Sequence, residues 1–125
     1  MLSRAGFAVF AVAAFAAGLV LAGPATWQIW AFLVAPDLTF LVAFGRGLER
    51  GQLHPRSVPL YNTMHRLWLP VALGVLLAGV MLAGLVPRAA GEGWLAGACA
   101  WAAHIGVDRV FGFGLRDRRG FVRAG

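Results

Sequence analysis

A chain of 125 residues that is 60% hydrophobic and only 13% charged leaves no room for a water-soluble core, since soluble domains sit near half apolar and a quarter charged. The net charge of +6 comes entirely from arginine. Those arginines flank apolar runs and form no separate basic domain, so a nucleic-acid partner is excluded. Cys99 is the single cysteine and sits in an apolar run; it reads as a small buried residue that forms no internal disulfide.

The apolar runs predict an all-α membrane protein, a bundle of four transmembrane helices in one domain, 1–125, since each crossing takes about 20 residues. The first covers 5–22, follows Met1-Leu2-Ser3-Arg4, and ends at Gly23-Pro24. It is long for a signal sequence, with a proline at the would-be cleavage point, so it is expected to be retained. The second covers 26–44, opens with the interface-type Trp27 and Trp30, and is interrupted by Pro36 and Asp37. Proline has no N–H, so Pro36 is expected to free the carbonyl of Phe32. A Gly- and Pro-punctuated polar loop, 45–56, follows. The third span covers 58–86; Pro59 is tolerated near its start, and Pro70 is expected to kink it and free the carbonyl of Arg66. The fourth covers 93–113, and a basic tail closes the chain. Trp68, Trp94 and Trp101 read as packing or interface anchors, and His54 as a solvated loop residue.

Arg4, Arg46, Arg50, Arg56, Arg116, Arg118, Arg119 and Arg123 are eight of the eleven arginines and fall on one side of such a bundle. The other side has Arg88, offset by Glu92. The positive-inside rule then puts the N- and C-termini in the cytoplasm. In the tail, Arg116, Arg118, Arg119 and Arg123 are candidates for anionic lipid headgroups, besides holding topology.

The informative residues are those that do not belong in lipid: Asp37, then Tyr61, Asn62, His65 and Arg66, then His104, Asp108 and Arg109. At about 1.5 Å per residue, all three spans place their polar groups in one layer, about 8–14 Å inside the cytoplasmic end. His104 and Asp108 are four apart on one helical face, as are Tyr61 and His65. Three chemistries fit this layer. Asp37, His65, His104 and Asp108 offer imidazole and carboxylate ligands to zinc, manganese or iron; His65, His104 and Asp108 would then be the catalytic candidates of an intramembrane hydrolase. The same groups can relay protons or serve solute transport. They can also be a hydrogen-bonded network that fixes packing, with Asp37 or Asp108 paired to Arg66 or Arg109. The bilayer is the expected partner, with a homo-oligomer or another membrane protein as further options. The chain has no nucleotide-binding loop, nucleophile elbow or thiol pair.

The run Ala103-His104-Ile105-Gly106-Val107-Asp108-Arg109, continued by Phe111-Gly112-Phe113-Gly114-Leu115-Arg116 and ending Gly120-Phe121, resembles the C-terminal signature of domain-of-unknown-function family 4260. Ala35-Pro36-Asp37-Leu38 resembles its Pro-Asp element, and Tyr61-Asn62-x-x-His65 with Pro70 its Tyr-Asn-x-x-His element. Arg116 replaces an expected Lys, Phe113 a common Tyr, and Arg56-Ser57-Val58-Pro59 a Gly-rich stretch. The resemblance implies a multi-pass protein of the bacterial cytoplasmic (inner) membrane and supplies no activity. It picks out Asp37, Asn62, His65, His104, Asp108 and Arg109, all among the polar residues of the apolar spans.

Overall fold

The computed structural model describes residues 2–123, whose regular elements are all helical apart from one isolated β-bridge in the tail. Helix α1 spans Arg4–Ala22. The Ser3 hydroxyl caps it by accepting the Gly6 N–H, and Gly23, at φ 81°, closes it by donating to the Leu19 carbonyl. Helix α2 spans Trp27–Val34 and passes directly into a 3₁₀ segment, Ala35–Val42. Eight residues of 3₁₀ helix is long for that geometry. Its steeper rise stretches the combined run of α2 and the 3₁₀ segment to about 28 Å. Arg56 closes its far end, donating to the carbonyls of Val42 and Phe44.

The third run differs from the continuous kinked helix that the sequence predicts. A short 3₁₀ turn, Pro55–Ser57, leads into α3, Val58–Met64. The chain breaks at His65 (φ −107°, ψ 14°) and resumes as α4, Trp68–Leu82. Pro70 is therefore not the kink. It is the third residue of α4, where a first-turn N–H has no intrahelical partner to lose. Nor is the Arg66 carbonyl orphaned, because the Leu69 N–H reaches it at 3.1 Å. The run stops at Leu82, short of the expected residue 86; Gly84 (φ 71°) turns the chain and Leu85 donates back to Val80.

The last helix, α5, covers Arg88–Val110, starting earlier and ending sooner than expected. It is the centre of the fold, with α1, α2 and α4 packed around it. Its buried positions are mostly small, among them Gly93, Ala96, Gly97, Ala100, Ala103 and Gly106. A Cβ on Gly97 would lie 2.9 Å from the Phe32 ring, and one on Gly106 3.0 Å from the Ala11 Cβ. Small residues thus bring the helix axes close, and dispersion between near backbones holds them. Ile29, Ala96 and Ala100 form the nucleus, covered by Phe15, Leu19 and Phe32.

Two helical runs, Arg4–Ala22 and Pro55–Leu82, are long and apolar enough to cross a membrane, and Trp27–Val42 is apolar but shorter. The outward surface is strongly apolar: Val20 is 88% exposed, Leu41 84% and Leu82 90%. α5 is less apolar, because its buried face is Gly and Ala rather than Leu and because it carries Glu92, His104, Asp108 and Arg109.

The tail folds back on the loop after the 3₁₀ segment. Leu53 donates to the Gly120 carbonyl at 3.0 Å, and Gly120 (φ 97°) leaves no space for a side chain against Leu53. The Asp117 carboxylate accepts the N–H groups of Arg119 and Phe121. The bond from Phe121, then that from Arg119, holds its pKa below the ordinary carboxylate range. A carboxyl depressed on folding stabilises the tail above its unfolded pKa, and the effect is lost as pH falls through the lowered value. Amide exchange at Phe121, normalised to intrinsic rates, should accelerate at acid pH and in Asp117→Asn at neutral pH. The close approach of α5 makes a second test: Gly106→Val should destabilise the protein in detergent by about 1–3 kcal/mol, read as a lowered melting temperature, while Val20→Ala on the exposed face should leave it unchanged.

Candidate functional site

Four side chains from three runs converge. Asp37 comes from the 3₁₀ segment, His65 from the break between α3 and α4, and His104 and Asp108 from successive turns of α5. One ligand-type atom from each lies within 4.8 Å of all the others. His65 Nε2 stands 3.2 Å from Asp108 and 3.8 Å from Asp37; His104 Nε2 stands 3.3 Å from Asp37 and 3.4 Å from Asp108.

Broken helix geometry aims both imidazoles. Beyond Leu33 the pairing shifts from i+4 to i+3, and the i+3 residue is Pro36, which has no N–H. The carbonyl of Leu33, next to the Phe32 carbonyl singled out in the sequence, is met by His104 Nδ1 at 2.8 Å. His65 Nδ1 meets the Tyr61 carbonyl at 2.8 Å, and the His65 backbone N–H reaches the same oxygen at 3.0 Å. A carbonyl only accepts, so each Nδ1 carries the proton and each Nε2 points inward. The Tyr61 ring stacks on His65 with centroids 3.9 Å apart, fixing its plane.

The two Nε2 atoms are buried, and neither makes an aligned hydrogen bond, despite carboxylate oxygens at 3.2–3.4 Å. These contacts are at ion-pair distance for a protonated imidazole, but none is aligned as a hydrogen bond, which weakens steeply off axis. The four groups address a common point. Bonds of about 2.0–2.1 Å to a tetrahedral zinc put neighbouring ligand atoms about 3.3 Å apart, close to the 3.2–3.8 Å between each imidazole nitrogen and each carboxylate, with all four ligand atoms within 4.8 Å of one another. The donor set thus fits a divalent cation. His65 is 0% exposed and His104 10%, whereas Asp37 is 47% exposed, so the site is not fully enclosed and opens at Asp37.

The other candidates separate from this cluster. Arg109 pairs with neither aspartate; it donates to the carbonyls of Phe113 and His65. Arg66 is exposed and outside the site. Asn62 clamps the tail, donating to the Arg116 carbonyl at 2.9 Å and accepting its N–H at 2.7 Å. Arg116, expected at a lipid headgroup, is 5% exposed. It donates to the carbonyls of Gly51 and Gly120, and its guanidinium lies over the Tyr61 ring. Trp101, expected to be a packing or interface residue, also has a polar role, since its Nε1 donates to the Met64 carbonyl at 2.7 Å. No spacing in the sequence signals that contact, because its partner is a backbone carbonyl exposed only by the break.

The model of a family described as Domain of unknown function (DUF4260) matches residues 2–124. The chain belongs to that family. No curated protein and no solved structure matches it. For this DUF4260 member the function must therefore be argued from the site.

Trp101→Phe keeps the ring and removes the donor to Met64. It should cost about 1–3 kcal/mol, the penalty for a buried carbonyl left unpaired, measured as a lower melting temperature in detergent with helix content intact.

Proposed function

We propose that this protein is a four-crossing protein of the bacterial cytoplasmic membrane that holds one divalent cation, zinc, manganese or iron, and uses it to hydrolyse a membrane-borne substrate. The observation that carries the reading is the pair of buried Nε2 atoms, each set by a carbonyl on Nδ1, facing two carboxylates at a shared point. Imidazole with a carbonyl behind it is the usual outer-shell arrangement of a metal-ligating histidine. Without a cation, two nitrogens and two carboxylates would meet there with no aligned bond to offset desolvation.

Several features support the membrane setting. The outward face is apolar, two runs have spanning length, and the 3₁₀ segment stretches the Trp27–Val42 run to about 28 Å. Arg4 lies against Gly112 beside the tail, and the tail is bonded to the loop after the 3₁₀ segment. The basic segments therefore share one end, which positive-inside logic assigns to the cytoplasm with both termini.

In the proposed roles, His65, His104 and Asp108 hold the ion. When bound, the ion would supply Lewis-acid activation of water and of an ester, phosphoester or amide. Asp37, the most exposed of the four, accepts the proton that the water gives up. Tyr61 and Arg109 position His65, through the stacked ring and through its carbonyl.

Elemental mass spectrometry on protein purified in mild detergent without chelator tests the reading. One equivalent of zinc, manganese or iron per chain is expected, lost in His104→Ala and retained in Asp37→Asn. A folded wild-type protein that carries no metal, and takes up none of the three on titration, would sink it. Metal present, with ester and peptide hydrolysis equal in Asp37→Asn and wild type, would remove Asp37 as the base.

A further inference from the structure

At the same end of the bundle lies a cleft of about 550 Å³, built from the start of α1, the end of α5 and the tail. Arg4, Arg109 and Arg123 line it, among apolar walls that include Phe7, Leu115 and Val122, and no acidic residue borders it. Among the described residues none of the three arginines forms an ion pair; the arginine salt bridges are Arg88–Glu92 and Arg119–Asp117. Three guanidinium charges around one cleft repel each other unless an anion sits between them.

The donors are not equally free. Arg109 commits both terminal nitrogens to the carbonyls of Phe113 and His65, so it contributes chiefly charge. Arg123 bonds the Arg116 carbonyl through Nε, which orients it and leaves its two terminal nitrogens. Arg4 has no side-chain hydrogen bond among the described residues. Its guanidinium lies against Gly112, where a Cβ would come within 3.2 Å of Nη2. The glycine thus makes the space that lets Arg4 reach the cleft.

We propose that this cleft binds the phosphate group of an anionic lipid headgroup. Guanidinium forks match phosphate oxygens in pairs, and the apolar walls suit the glycerol and first methylenes of a lipid. The site differs from the tail cluster expected in sequence. Arg116 is internal and Arg119 is paired with Asp117, and neither they nor Arg118 lines the cleft; only Arg123 carries over. The inference stands apart from the metal reading, because neither cleft nor arginines need the ion.

Native mass spectrometry of the full chain in mild detergent tests it, with dioleoyl phosphatidylglycerol, dioleoyl phosphatidylcholine and inorganic phosphate as probes. One phosphatidylglycerol per chain is expected, preferred over phosphatidylcholine by about tenfold, the scale of one charge-assisted bidentate contact. The Arg4→Gln/Arg123→Gln double variant should lose that preference, and Arg118→Gln should keep it. Arg4→Gln alone breaks no hydrogen bond in the fold and should lose most of it, which guards against misfolding of the double variant. Unchanged preference in Arg4→Gln and the double variant, or an equal loss in Arg118→Gln, would overturn the cleft as the site. Displacement of phosphatidylglycerol by equimolar inorganic phosphate would overturn the lipid as the source of the phosphate.

Discussion

A helix interrupted in apolar surroundings frees carbonyls that water cannot reach, and each must find a donor. That constraint organises this protein. Two runs are interrupted, one where α2 turns into 3₁₀ helix and one between α3 and α4. The carbonyls opened there, of Leu33, Met64 and His65, are met by His104, Trp101 and Arg109. All three donors project from α5, which packs closely enough to reach because its own positions are Gly and Ala. The small-residue core, the broken helices and the polar donors are one arrangement.

The same arrangement gives the site its character. An imidazole that caps a carbonyl through Nδ1 has only Nε2 left, and its direction follows from the backbone it caps. Both histidines are used this way, so their free nitrogens are aimed by two different helix interruptions. Carboxylates from the 3₁₀ segment and from α5 meet them. Interruption, elsewhere destabilising, here sets the direction of the ligands.

Much of this was legible in sequence, and the reasons are local. His104 and Asp108 share a face through simple helical spacing, and equal depth placed Asp37 and His65 beside them. The interruption at Pro36 follows from its missing N–H. What failed depended on contacts distant in sequence. Pro70 looked like a kink because proline usually is one inside a helix, but the break had already happened at His65. Arg116 looked superficial because arginine usually is; the Gly51 carbonyl and the Tyr61 ring from other segments, with the Gly120 carbonyl of the tail itself, make a place for it inside. Asn62 sat in the right layer but turned to the tail backbone, 54 positions away. Side-chain bonds to backbone leave no trace in residue spacing, so the polar layer could be seen while its division of labour could not.

The position of α5 in the chain has a consequence for biogenesis. It follows the other described helices in the chain, yet it supplies the donors for carbonyls 37, 44 and 71 residues earlier. In this fold the carbonyls of Leu33, Met64 and His65 have no other side-chain donor among the described residues, and Asp37 meets the imidazole of α5 at 3.3 Å. During synthesis these carbonyls can therefore be met as they are here only once residues 101–109 have been made, so the assembly of the site depends on the seating of one helix.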